Sequence, residues 1–248
     1  MKKLLLILLC LPMIGFGQNI PFTKIGNQFW SSENLDIDVF RNGDIIPQAT
    51  NKSEWFKASY REEPIWCYYK FDEKNSVFGK LYNYYAISDE RGLAPVGWHV
   101  PSLYEYFILI NSIEPLFTLE MLANRESLAG GSLKIKNDKY WSGKACPQID
   151  CGFNAIAAGG YSPSLDYPEY DWDSIKKTAR FWLLTNWEEI VSLPGLLNDE
   201  DKLDFQQRIS SGKLDDKALV MRLKDSSCEV SLDDDPKIYG YSIRLIKE

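Results

Sequence analysis

The stretch Arg91-Gly-Leu-Ala-Pro-Val-Gly-Trp-His-Val-Pro-Ser-Leu-Tyr-Glu105 limits what this chain can form more than any other. Gly92, Pro95, Gly97 and Pro101 punctuate it, so neither a long helix nor a long strand runs through it. Trp98 and Val100 are the apolar residues it has to bury. Ser102 then opens a helix, and Glu105 stands three residues on, at the spacing of a capping box. The serine oxygen accepts from a free N–H of the first turn, and the glutamate reaches back to the N–H of Ser102. A loop of this kind is a structural anchor, not a catalytic motif. His99, the single histidine of the chain, lies inside it and reads as structural, hydrogen-bonded to backbone. One histidine disfavours both a His-rich zinc site and a Ser-His-Asp triad.

Residues 1–17 read as a secretory signal peptide. Lys2 and Lys3 are followed by the apolar run Leu4–Ile14, with Gly15 and Gly17 before a cut at Gln18. The run is shorter than the about 20 residues of a membrane-spanning helix, and no later stretch is long enough. Leu9 precedes Cys10 where a lipoprotein signal has a small residue, so a lipid anchor is not expected. Cleavage would leave residues 18–248 as one domain, with 26 basic against 35 acidic residues and a formal charge of −9. An acidic chain without a basic run argues against nucleic acid and anionic membranes as partners. Aromatic residues make up 14%, which predicts a loop-rich aromatic core with some rings left for binding. Cys67, Cys146, Cys151 and Cys228 form an even set in an exported chain, which predicts disulfides. Cys146 with Cys151 closes a short loop, leaving Cys67 with Cys228.

Along the chain, Phe22–Leu35 reads as a hairpin turning at Gly26-Asn27. Further strands are expected at Asp36–Phe40, Pro64–Phe71, Val77–Ile87, Ala179–Trp187, Leu219–Leu223 and Tyr239–Ile246, with a buried strand and turn over Gly152–Gly160. Helices are expected after Ser53, over Leu103–Ile113, and over Leu119–Leu128 closed by Gly130-Gly131. Leu103, Phe107 and Ile110 share one helical face. The polar segment 188–217 looks inserted between strands, with one short helix near Asp201–Ile209. Asp233-Asp-Asp235 reads as a hairpin tip.

These landmarks occur in order: Gly26-Asn-Gln-Phe-Trp and Glu33-Asn-Leu; Phe40-Arg-Asn-Gly-Asp-Ile-Ile-Pro47; Pro64-Ile-Trp-Cys-Tyr-Tyr69; Gly79-Lys-Leu-Tyr-Asn-Tyr-Tyr-Ala86; Gly97-Trp-His-Val-Pro-Ser102; Gly152-Phe-Asn-Ala; Arg180-Phe-Trp182; and Gly240-Tyr-Ser-Ile-Arg244. In this the chain resembles the Fibrobacter succinogenes major paralogous domain, a family of exported proteins common in Bacteroidetes. The resemblance covers almost all of residues 18–248. It implies an α+β fold similar to C-type lectin-like and formylglycine-generating-enzyme-like domains: short antiparallel strands, two flanking helices and long irregular loops. It implies no catalytic residues. Two departures stand out. The pattern places a cysteine after the arginine of the closing strand, where Leu245 stands, so Cys228 can serve instead. The segment 188–217 is also longer than the family needs.

The calcium-and-sugar motifs of C-type lectins are missing, since Glu114-Pro115 is followed by Leu116. Asp166, Glu169, Asp171 and Asp173 offer hard oxygens for calcium, with Tyr167, Tyr170 and Trp172 as stacking surfaces for a sugar. A solvated acidic loop explains the same residues, and no resident metal or other cofactor is expected. Arg244 is expected to meet a buried carboxylate or stack on a ring. The cysteine context for formylglycine chemistry is lacking. A glycosidase would need two carboxylates about 5 to 9 Å apart, and 35 acidic residues offer too many pairs to choose from. The expectation is an exported, non-enzymatic binding protein recognising carbohydrate or an envelope protein. The alternatives are a polysaccharide hydrolase and a purely structural envelope component.

Overall fold

A computed structural model describes residues 19–118, 121, 127–143, 146, 149–164 and 171–248. The proposed signal peptide, most of the helix expected at Leu119–Leu128, and Asp166, Tyr167, Glu169 and Tyr170 lie outside the described residues.

The chain opens with β1 (Phe22–Ile25) and β2 (Gln28–Ser31), paired across the Gly26-Asn27 turn as expected. Gly26 has φ +58°, and a Cβ on it would run into the Ser112 side chain, so the turn needs glycine. The expected strand at 36–40 is only a bridge from Val39 to Ile45, because Phe40 N–H bonds Asp44 O and closes a tight turn. α1 (Lys52–Ser59) is capped by Asn51 and not Ser53: Asn51 Oδ1 accepts from Glu54 N at 3.0 Å. The two long aromatic strands are also cut down. β3 (Trp66–Cys67) gives way to a turn in which Lys70 and Phe71 both have φ 56°. β4 (Leu81–Tyr82) pairs with β3, and Asn83 then caps α2 (Tyr84–Ser88). In both cases a local capping or turn option ends the strand before its aromatic run ends.

The anchor loop behaves as its sequence demands. β5 (Trp98–His99) is followed by α3 (Leu103–Ile113), whose Ser102–Glu105 capping box is complete. Trp98 is buried. His99 differs from expectation: its Nε2 meets Glu105 Oε1 at 2.6 Å, not backbone. Glu105 Oε2 is the capping oxygen, so one carboxylate holds the cap and the histidine together. Gly130-Gly131 begin the short α4 (Gly130–Leu133) instead of ending a helix. Residues 152–160 form no long strand, but Lys134↔Ala155 and Gly159↔Ala179 bridges hold them down before β6 (Gly160–Tyr161) and β7 (Trp172–Asp173) pair.

β8 (Thr178–Trp182) is shorter than expected, since Asn186 caps a helix, α5 (Trp187–Ser192). α6 (Asp199–Ser210) follows, so the segment between strands carries two helices and not one. β9 (Lys217–Lys224) and β10 (Val230–Pro236) complete a three-stranded antiparallel sheet with β8 at the other edge. Asp233–Asp235 therefore lies within a strand. The three carboxylates tolerate it because each has a cation: Arg222 for Asp233, Lys217 and Arg208 for Asp234, Arg180 for Asp235. The closing segment makes single bridges from Gly240, Tyr241 and Ser242 before β11 (Ile246–Lys247) inserts between β2 and β5. The result is a mixed fold of small antiparallel sheets packed around three apolar clusters. Trp182 shows how these are held. It is fully buried, its Nε1 donates to Tyr82 O, and Tyr84 and Tyr241 lie against its ring.

The disulfide joins Cys146 to Cys228. The expected Cys146–Cys151 and Cys67–Cys228 pairs do not form. Ser142 Oγ bonds Asp225 Oδ2, and Gly143 lies so close to Asp225 that any Cβ would collide with it, so the chain is delivered to the turn holding Cys228. Lys134 closes the same turn, donating to Lys224 O and Ser227 O, and burial pushes its ammonium down to about 8. Cys67 is a free thiol in the core, raised well above its ordinary pKa by burial. Cys151 is also free and donates to Ser132 O.

Candidate functional site

A polar cleft of about 340 Å³ opens where the turn after β2, the loop at Ser76–Gly79 and the residues near Asn154 meet. Its floor is Arg244, almost wholly buried. The guanidinium donates to Asn34 Oδ1 (2.9 Å), Ser31 O (2.8 Å), Phe153 O (2.7 Å) and Asn154 O (2.9 Å). Phe153 and Phe181 lie under and beside it at 4.8 and 5.5 Å. Among the described residues no carboxylate pairs with it; burial pushes its pKa down to about 9, with Glu33 pulling the other way. Of the two expected partners, a buried carboxylate or a ring, the structure supplies the rings, together with backbone carbonyls.

Asn34 is fixed from both ends, donating to Phe78 O and Ser242 Oγ while accepting from Arg244. Asn154 sits at φ +54°, a conformation asparagine tolerates, and this turns its carbonyl onto the guanidinium. Glu33 and Asp36 stand exposed at the rim, and Asp36 pairs with the buried Lys80 at 3.0 Å. Tyr140, half-buried, forms one wall with Ile135 and Ile156. A smaller hollow of about 150 Å³ continues from it and shares Glu33, Asn34 and Asp36. The arrangement offers amide, carboxylate and phenol groups beside an apolar wall, the mixture that fixes a small polar ligand in one orientation.

The described members of the acidic-aromatic cluster lie elsewhere and are used internally. Asp171 is buried, accepts from Ser164 N and pairs with Lys52 at 2.7 Å. Asp173 pairs with Arg180. Trp172 stacks on Tyr161 with centroids 4.2 Å apart, and Tyr69 and Phe71 meet its edges. Gly159, at φ +72°, lets Asp173 O and the Tyr69 ring come within reach of where a Cβ would sit. Among the described residues no three His, Cys, Asp or Glu side chains are grouped to hold a metal ion. Trp98, His99, Ser102 and Glu105 stay together at the anchor loop, apart from the cleft. Of the described residues among the sequence candidates, Arg244 lines it. Glu33, Asn34 and Asn154 were not singled out, although each lies inside a landmark stretch.

The family model for the Fibrobacter succinogenes major domain matches residues 23–247. The chain belongs to this family. Neither a curated protein nor a solved structure matches it significantly. Within this Fibrobacter succinogenes major domain, the landmarks separated along the chain converge. Glu33 and Asn34, Gly79, Asn154 and Arg244 come from four of them and line one cleft.

Proposed function

We propose that this protein is an exported, non-enzymatic binding domain, C-type lectin-like in its fold, that recognises carbohydrate in the Arg244-floored cleft. The observation that carries the reading is the convergence of amide, carboxylate and phenol groups on one cleft with an apolar wall. The Cys146–Cys228 bond supports an oxidising compartment. Short antiparallel strands joined by long irregular segments support the fold reading. Tyr140 offers a ring for a sugar face, and the exposed Glu33 carboxylate offers acceptors for hydroxyls. The test is a glycan array followed by calorimetry on the best ligand, with Tyr140→Ala and Glu33→Ala compared. Each substitution is expected to weaken binding at least tenfold. Absence of any glycan ligand, or affinity unchanged in both variants, would remove the reading in favour of a structural envelope component.

One observation favours the hydrolase alternative: Glu33 and Asp36 line the same cleft. Release of reducing ends from a bound polysaccharide, lost in Glu33→Gln, would move the protein to that class.

A further inference from the structure

The polar cleft separates its charges by depth. A guanidinium has five N–H groups, and that of Arg244 lies buried at the floor. Nε gives its N–H to Asn34 Oδ1, Nη1 gives two to Ser31 O and Phe153 O, and Nη2 gives one to Asn154 O. The second N–H of Nη2 has no acceptor among the described residues. Arg244 and Asn154 both line the cleft, which puts the open donor at its floor. A buried donor left without an acceptor is unfavourable, and a ligand oxygen placed there removes that cost.

The charge at the mouth has the opposite sign. Glu33 is exposed and forms no ion pair among the described residues, while Asp36 is matched by Lys80 at 3.0 Å. Glu33 acts on the Arg244 guanidinium through space, without a hydrogen bond between them. Lys139 holds its ammonium 5.2 Å from the centre of the Tyr140 ring but does not line the cleft. The chain as a whole carries a formal charge of −7. An anionic ligand would therefore meet repulsion on entry, and at the floor a guanidinium with four of its five donors already used. A cation is drawn to the mouth instead.

We propose that the sugar taken by this cleft carries a free amine: a 2-amino sugar whose ammonium meets Glu33 at the mouth and whose neighbouring hydroxyl oxygen accepts the open N–H of Arg244. This rests on the cleft being the carbohydrate site. An ammonium has three donors and no acceptor, so it suits the carboxylate and not the guanidinium, whereas a hydroxyl oxygen can accept. A charge-assisted contact is about twice as strong as a neutral one, so the amine outweighs a hydroxyl at the same position. An N-acetyl group removes that charge, and a uronate sets a like charge beside Glu33.

The test is calorimetry on the full chain with β-linked oligomers of equal length built from glucosamine, N-acetylglucosamine, glucose and glucuronate, at about pH 5.5, where an amine is protonated and a carboxylate ionised. The glucosamine oligomer is expected to bind roughly fivefold or more tightly than the glucose and N-acetylglucosamine oligomers in low salt. That advantage should vanish at about 0.5 M salt and in Glu33→Gln. The glucuronate oligomer should bind more weakly than the glucose oligomer. The side-chain N–H signals of Arg244 should shift in the saturated complexes of wild type and Glu33→Gln alike. Equal affinity for amine and hydroxyl oligomers would overturn the proposal, and so would an amine preference that survives Glu33→Gln. Arg244 signals that stay put at saturation, or tighter binding of the glucuronate, would do the same. In each of these cases binding of the glucose oligomer still upholds the cleft as a sugar site. Binding of none of the oligomers overturns the proposal too, and the glycan array then decides the sugar reading separately.

Discussion

Arg244 does at the scale of one residue what a metal or a second disulfide does in other small folds: it ties separate backbone segments to one point. Ser31 at the end of β2, Asn34 in the turn beyond, and Phe153-Asn154 all converge on its guanidinium. The planar fork matters, because a lysine ammonium has three donors at one point and cannot span four separated acceptors. Removing it leaves buried carbonyls without donors, each costing roughly 1–3 kcal/mol. Arg244→Lys is therefore expected to lower unfolding free energy by on the order of 3 kcal/mol. Urea denaturation checks this, and a loss under about 1 kcal/mol would show that the fork is dispensable.

At the scale of elements, α3 and α6 are opposites. α3 buries Leu103, Tyr106, Leu109 and Ile110, and its cap is locked by Glu105, which also holds His99. α6 has a good cap, Asn198 accepting from Asp201 N at 2.8 Å, and three acidic residues in its first turn, but none of its residues is fully buried and Phe205 only half-buries against the core. Capping and charge stabilise a helix by a few tenths to about 1 kcal/mol per interaction, whereas helices in proteins draw most of their stability from a buried face. Amide hydrogen exchange should therefore separate them, with α6 exchanging at least tenfold faster than the centre of α3 under native conditions. Equal protection would mean that α6 opens only with the whole molecule.

Over the whole molecule, the Cys146–Cys228 bond spans 82 residues and links the segment before Gly152 to the turn between β9 and β10. Closing a loop of that size in the unfolded chain stabilises the fold by typically 2–4 kcal/mol. Reduction should lower Tm by several degrees. Peptide mapping of the unreduced protein should show that bond with Cys67 and Cys151 both free, and Cys67 alkylated only after unfolding because it is buried in the core. A Tm unaffected by reductant, or a map showing Cys146 with Cys151, would contradict this arrangement.

The sequence by itself determined features governed by neighbours in the chain. The Gly26-Asn27 hairpin, the Ser102–Glu105 cap, the bounds of α3, the burial of Trp98 and the family all follow from residues within a few positions of one another or from motifs in order. The tertiary structure decided what depends on which distant segment arrives. Asn83 and Asn186 could cap helices or sit in strands, and packing chose the caps, cutting the aromatic strands short. Asp233–Asp235 has the composition of a turn, yet stays in a strand because Arg222, Lys217 and Arg180 meet it from other segments. Cysteine partners depend on Ser142 and Gly143 lying against Asp225, which spacing does not encode. The cleft was hidden for the same reason: Glu33, Asn154 and Arg244 are scattered over more than two hundred residues, and only the folded backbone brings their polar groups to one wall.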